Sequence, residues 1–469
     1  MKIRVTMMLL LFFCQQVSAQ EKKMTLKECI EKAINNNISI KQNALQVEAA
    51  LVNLQQAKAN LLPNLNGNFG YGFNQGRNVD PLTNNYINQQ LSSSSLNLNS
   101  ELLLFNGLRS QNLIGQNKYK QEASRYDLQQ AKNDLTLNVM LNYLQVLSNE
   151  DVLAINRAQA TVTEKQVERM NILVKEGVNA NYLLAELQGQ LATDEITILN
   201  ASNALQVAKL TLSQLMNIVY DSTLQLEKEV AAFPSTAYTN NASQIYQASL
   251  QQFASIKSND LKIKSSEKTV KVFRAGYFPI ISLNANLGSS YSSLAQTLTS
   301  SDISEISTGS YVKINGSETN VFIKQQNFSA AKTGYVRQLN NNLGNYVGIN
   351  MRIPLFNSFQ TNNNVKLAKI DLHNTKLQSD NAKLILRQSI EQAYLNATTS
   401  YEKYQVLTRQ LTNFEEAFRA AEVRFNNGVI NTTEYLISKN NVDRARTTLA
   451  QAKYEYSFRT RVLDYYQGL

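Results

Sequence analysis

The sequence predicts a mainly helical protein with a minor β component, written twice, each copy joining a pair of short amphipathic strands to a very long helical hairpin. Three observations carry this reading. Ser39-Ile40-Lys41 recurs as Ser255-Ile256-Lys257, Pro63 as Pro279 and Asn68 as Asn284, all 216 positions apart; Leu104-Phe105-Asn106 recurs as Leu355-Phe356-Asn357 and Gly177-Val178 as Gly428-Val429, 251 apart. Leu108 to Glu176 holds no proline and only Gly115, and Ser358 to Asn427 holds neither, so each can run as one helix of roughly 100 Å at ~1.5 Å per residue. Four segments alternate apolar and polar residues over about ten positions, the tilted length that crosses a bilayer.

At the N-terminus, Lys2 and Arg4 precede an apolar run from Met7 to Phe13 and then Val17-Ser18-Ala19, which reads as a signal peptide over 1–19 and marks export. Cys14 follows Phe12 and Phe13, where lipidation would need small residues, so it belongs to the discarded leader. The mature chain then keeps one cysteine, Cys29, which excludes a disulfide framework or thiolate cluster and suits a buried small residue. The first repeat spans 20–230, with strands near 64–73 and 95–105. Leu65, Phe69, Tyr71 and Phe73 share a face opposite Asn64, Asn66 and Asn68; Leu96, Leu98, Leu102 and Leu104 oppose Asn97, Asn99 and Glu101. Pro63 sits where helix gives way to strand, and Pro81 in the polar loop between the strands. The long helix ends at Gly177, a left-handed C-cap, and a second helix starts near Tyr182.

Pro234 separates the copies, and the second repeat spans 231–469. Its strands lie near 279–291 and 345–355, bracketed by Pro279 and Pro354. Ile281, Leu283, Ala285 and Leu287 oppose Ser282, Asn284 and Asn286, while Val347, Ile349, Met351 and Ile353 oppose Tyr346, Asn350 and Arg352. The change of offset from 216 to 251 places an insertion between these strands, a Ser-, Thr-, Asn- and Gly-rich segment near 292–342 that reads as a loop covering a mouth or lacking order. In the long helix, Ile390, Tyr394, Ala397, Tyr401, Tyr404, Leu407, Leu411, Phe414, Phe418, Ala421 and Phe425 alternate spacings of four and three, a coiled-coil seam. That helix ends at Gly428, and its partner starts near Thr432.

Composition narrows the function classes. The formal charge of +10 includes Lys2 and Arg4 of the leader and is otherwise spread without a basic block, which argues against nucleic acid. No stretch after the leader reaches 18 apolar residues, which excludes a spanning helix but leaves a spanning barrel open. Four strands cannot close a barrel, and in lipid each unpaired backbone group on an open edge costs several kcal/mol. The chain must therefore assemble: two copies would give eight strands and a filled lumen, three would give twelve and begin to open a passage.

These residues resemble the TolC-like outer-membrane efflux and secretion channels over essentially the whole mature chain. The resemblance rests on Met24-Thr25-Leu26 through Ala33-Ile34-Asn35-Asn36-Asn37, the strand starts at Leu62-Pro63 and Phe278-Pro279, the Leu-Phe-Asn strand exits and the two Gly-Val tips. It implies a homotrimer with a 12-stranded outer-membrane barrel, four strands per protomer, continued by a periplasmic α-helical coiled-coil barrel. It also implies a passive conduit without cofactors, docked to a periplasmic adaptor and an inner-membrane pump. Gly177, Val178, Gly428 and Val429 would then be the docking tips, and Glu434 the acidic residue of a periplasmic gate. Asn431 and Glu434 also have the spacing of a capping box, so the acid reads two ways. The first copy offers only Leu183 or Glu186 nearby. Glu101, Asn350 and Arg352 would line the barrel lumen, and Tyr71, Phe73, Tyr277 and Phe278 would form girdles at the membrane interfaces.

Nothing in the sequence points to catalysis. His373, the sole histidine, sits in a helix pattern without a cysteine or acidic cluster, and no phosphate loop, zinc spacing or nucleophile elbow is found. The alternative from another class is a soluble periplasmic coiled-coil adaptor, which predicts one helical hairpin flanked by β domains, not two hairpins each bracketed by strand pairs.

Overall fold

The computed structural model describes residues 23–79, 84–88, 90–228 and 236–468; the leader with Cys14, and Pro81 and Pro234, lie outside the described residues. The first copy runs α1 (Leu26–Asn36), α2 (Ile38–Ala59), β1 (Asn66–Asn74), β2 (Arg77–Val79), β3 (Tyr86–Asn88), β4 (Leu91–Phe105), α3 (Arg109–Lys175) and α4 (Asn181–Leu215). The second runs α5 (Ala242–Gln252), α6 (Ala254–Arg274), β5 (Ile280–Ser292), β6 (Gln296–Ile314), β7 (Ser317–Lys332), α7 (Tyr335–Asn341), β8 (Gly344–Arg352), α8 (Gln360–Asn426) and α9 (Thr432–Gln467). The long helices α3 and α8 each hold 67 residues. The short helices α1 and α5 each hold 11 and open on a capping box, built from Thr25 with Glu28 in one copy and Asn241 with Gln244 in the other. Different residues thus perform the same start 216 positions apart.

Two compact units divide the chain, and each draws on both copies. One comprises residues 1–52, 117–266 and 371–469, and its described elements are helices. One of its cores gathers Cys29 and Ala33 of α1, Leu135 to Leu153 of α3 and Leu205 to Leu212 of α4; a second gathers Ile245 of α5, Ile256 of α6, Ile390 and Ala397 of α8 and Leu463 of α9. Burial pushes the Cys29 thiol up to about 12, so it serves as a small apolar residue. The seam of α8 is buried or half-buried at every position from Ile390 to Phe425, and extends back through Leu386, Ser379, Ala368 and Val365.

The other unit comprises residues 53–116 and 267–370 and holds an antiparallel sheet of order β1-β4-β5-β8. Where β4 and β8 hand over to the long helices, two consecutive residues take positive φ in each copy: Gly107 and Leu108 at 67° and 63°, Ser358 and Phe359 at 51° and 59°. A Cβ on Gly107 would lie 2.7 Å from Phe278 Cβ and 2.8 Å from the Ala275 carbonyl, so this turn admits only glycine. The insertion between β5 and β8 departs from expectation. It is no structureless loop but a hairpin of β6 and β7 closed by Asn315-Gly316, both at positive φ, followed by α7. The Asn-Gly pair suits the tight turn that matches strand twist, and Ser/Thr-rich strands between exposed isoleucines masked it in the sequence.

Candidate functional site

The sheet keeps its two faces in register across all four strands. On the polar face, pairing aligns Asn66 with Asn99, Asn286 and Tyr346, and Glu101 with Asn284 and Gly348; Asn350 lies opposite Ser282 and Arg352 opposite Ile280. Glu101, Asn350 and Arg352 therefore share one face, as their alternation required. The opposite face aligns Phe69 with Leu96, Leu98 with Leu287, Leu102 with Leu283 and Ile349, and Ile281 with Met351. Phe69 is 66 %, Val347 71 % and Ile349 69 % exposed. So continuous an apolar surface belongs in lipid or against another chain.

Aromatic residues bracket that surface. Tyr71 and Phe73 lie opposite Ser94 and Ser92 at one end, where Tyr291 and Tyr335 pack 4.8 Å apart; Phe105, Tyr277 and Phe278 lie at the other. At ~3.3 Å per residue and ~45° tilt, the run from Phe278 to Tyr291 rises about 30 Å, the thickness of a bilayer core. No described helix is long and apolar enough to cross a membrane. The sheet is the part of the chain whose dimensions fit one.

In the helical unit, the two hairpin tips are built alike. At the first, Gly177 N–H donates to the Val174 carbonyl and Val178 N–H to that of Leu173; at the second, Gly428 donates to Phe425 and Val429 to Arg424. Both are Schellman caps with glycine at φ 72°, and they leave Val178 68 % and Val429 64 % exposed. The tips differ in what starts the returning helix. Asn431 accepts the Glu434 backbone N–H at 2.8 Å, whereas Ala180 makes no side-chain cap. The Glu434 carboxylate is exposed beside the turn. Met170, Leu184, Leu187, Phe425 and Leu436 pack the hairpins together just behind the tips, where Thr433 donates to Glu186 at 3.3 Å.

The chain matches the family of outer membrane efflux proteins over residues 29–217 and 245–463, one stretch in each copy. It belongs to that family. Outer membrane protein TolC of Escherichia coli K12 is 22 % identical over 436 residues, 92 % of this chain and 79 % of that protein. Toxin and drug export protein A of Aggregatibacter actinomycetemcomitans is 21 % identical over 436 residues, 92 % of this chain and 84 % of the relative. The solved channel CusC superposes with a TM-score of 0.75 at 16 % identity, covering 94 % of this chain and 91 % of that one. The protein is accordingly an outer-membrane efflux channel and not an enzyme. The soluble adaptor reading is overturned, since the family match takes in both hairpins together with the strand pairs that bracket them.

Sequence reasoning missed one cluster in this efflux protein. Lys439, its side chain 2 % exposed, lies 3.3 Å from Asp194 and 2.5 Å from Asp443, and the Thr163 hydroxyl donates to the same Asp194 oxygen. Asp194 on α4 and Lys439 on α9 stand 245 positions apart, so only the Lys439–Asp443 spacing of four was visible locally. Burial raises the Asp443 pKa above its ordinary value, and the bond from Lys439 opposes that rise. Tyr435 is also fully buried, stacked 4.5 Å from Phe425, whereas Tyr182 at the start of α4 is 68 % exposed. His373 is an exposed residue of α8, and no cluster of described residues is arranged to hold a metal ion.

Proposed function

We propose that three copies of this chain, each built of repeats 20–230 and 231–469, close a 12-stranded barrel in the outer membrane that continues into a periplasmic helical barrel. The assembly is the passive exit duct of a tripartite efflux or type I secretion system, opened when a periplasmic adaptor docks and an inner-membrane pump supplies the energy. The observation that carries this is the four-stranded sheet with one lipid-like face, one polar face and unpaired outer edges on β1 and β8. Joining β8 of one copy to β1 of the next satisfies both edges. The polar face, with Glu101, Asn350 and Arg352, then lines the lumen, and the loops at the far end of the strands from the long helices open outside the cell.

Exposed aliphatics repeat every seven residues along α2 (Ile38, Leu45, Val52) and α8 (Ile370, Leu377, Leu384), which supports helix packing between copies. The tips at Gly177-Val178 and Gly428-Val429 supply the adaptor surface. Glu434, whose carboxylate is exposed while its N–H is capped, supplies a ring of three acids at the entrance. The cargo of named relatives, such as toxins and drugs, sets only the range of what this duct carries.

Extraction of the outer-membrane fraction in mild detergent, followed by mass determination and planar-bilayer recording, tests the reading. A trimer that conducts is expected; a water-soluble monomer without pore activity would overturn it. Val429→Glu is expected to stop export while leaving trimers intact, and normal export by that variant would remove the tips from the docking surface.

A further inference from the structure

We propose that the barrel wall carries on its lumenal face a neutral belt that binds uncharged, hydroxyl-rich chains of the oligosaccharide type. The inference rests on the trimeric reading, which makes the polar face of the sheet a lumen. Along that face, outward from the row of Glu101, pairing sets Asn66–Asn99–Asn286–Tyr346, then Asn68–Asn97–Gly288–Gly344, then Gly70–Ser95–Ser290 and Gly72–Ser93–Ser292. The charged residues on this face, Glu101 and Arg352, both lie toward the end where the helices attach. Beyond them, as far as the row of Ser93, the described wall consists of carboxamides, serine hydroxyls, glycines and one tyrosine per copy, with Ser292 itself buried and Leu91 closing the face in the next row.

The belt is ordered rather than merely polar. Asn286 Nδ2 donates to Asn99 Oδ1 at 2.5 Å, which orients both carboxamides and leaves the Asn99 amide and the Asn286 carbonyl available for further hydrogen bonds. Two glycines make room for side chains to lie against the wall. A Cβ on Gly288 would come 2.5 Å from Asn97 Oδ1, and one on Gly348 would come 2.6 Å from Tyr346 Cζ, so the Tyr346 ring rests on the strand at Gly348. Rings of charge are what ion-selective pores use, and this stretch has none to offer an ion. Carboxamides exchange hydrogen bonds with neutral hydroxyls without stripping a charge of its water, and an aromatic ring adds an apolar platform. Three copies repeat the belt around the axis, and a polyhydroxylated chain can engage several of these groups at once.

The test uses trimers in planar bilayers, with maltoheptaose as the probe and a polyethylene glycol of equal mass as the control for volume exclusion. Maltoheptaose at millimolar concentration is expected to interrupt the current where the glycol does not. Asn99→Ala with Asn286→Ala is expected to shorten the interruptions about tenfold, the worth of one or two hydrogen bonds. Gly348→Ala, which displaces the Tyr346 ring and deletes no polar group, is expected to shorten them about fivefold. Equal block by glycol and sugar, or block unchanged in both variants, overturns the belt while the trimer stands. Stronger block by an uncharged unfolded peptide, lost in the same variants, overturns the sugar assignment in favour of peptide cargo. Absence of any trimeric pore, or failure of Asn99→Cys to react with a polar thiol reagent from within an open pore, overturns the trimeric reading and the belt together.

Discussion

At the scale of single residues, the region behind the tips is held by groups whose burial is unusual for their type. Among the described residues, Lys439 is the one cation in contact with both Asp194 and Asp443 in a site from which water is nearly excluded, so removing it takes away the direct counter-charge of two carboxylates and leaves Asp443 only the more distant Arg446. Lys439→Met should lower protomer stability by about 3–5 kcal/mol, the usual result of breaking a buried pair from one side, read as the denaturant midpoint multiplied by its slope. Asp443 adds a pH signature. Its folded-state pKa lies above the ordinary 3.8, so the folded chain holds that proton more tightly than the unfolded one. Its contribution therefore favours folding as pH falls toward 3.8 and turns unfavourable as pH rises through the folded value. Asp443→Asn should flatten this component in melting curves taken between mild acid and neutrality; an unchanged slope would assign it elsewhere. Tyr435 makes the converse case, since its ring packs on Phe418 and Phe425 but its hydroxyl is buried without a partner among the described residues. Tyr435→Phe should be neutral or stabilising by up to ~1 kcal/mol, whereas Tyr435→Ala should cost about 3–5 kcal/mol.

At the scale of elements, two glycines of nearly equal backbone angle should behave differently on substitution. Gly107 and Gly177 have φ of 67° and 72°, but a methyl at 107 collides with Phe278 and the Ala275 carbonyl, while nothing lies within 4 Å of one at 177. Gly177→Ala should cost about 1 kcal/mol of left-handed strain, and Gly107→Ala at least twice that, as measured by chemical unfolding. Equal costs would show that the strand-to-helix turn shifts to accommodate a side chain. The same comparison explains what was legible in the sequence. The long helices were read to within two residues of their ends because their limits are local: no internal proline, a glycine at the cap, a seam of fixed period. The β6–β7 hairpin is masked in the sequence, although Asn315-Gly316 is a strong turn signal, because its strands are Ser- and Thr-rich and register shifts at Ser300/Ile303 and Ser307/Tyr311 break their alternation. The α8 seam is legible only from Ile390 onward, since farther back small or polar residues such as Ala368 and Ser379 occupy its buried positions.

At the scale of the whole molecule, the faces of the strands were legible because their period of two is local, and this places Glu101, Asn350 and Arg352 on one side. The rows across the sheet were not, because register is set by pairing between residues as distant as Asn99 and Asn286, and neither was the pairing of Asp194 with Lys439. What a single chain leaves unresolved is equally physical: an apolar strand face, two strand edges left open among the described residues, and the stripes on α2 and α8 that no described residue covers. The seam of α8 from Val365 to Phe425 is already occupied by contacts within the chain, so Ile370, Leu377 and Leu384 form a second, exposed stripe, which the proposed trimer covers with another copy. Arginine on that stripe should therefore spare the protomer and break the assembly. Leu377→Arg with Leu384→Arg is expected to shift detergent-extracted protein from trimer to monomer by more than about 100-fold, because two charges would have to be desolvated at each junction. Far-ultraviolet circular dichroism should stay within error of the unaltered chain. Intact trimers from the double variant would place the helical contacts between copies elsewhere and leave the strand edges as the principal force for assembly.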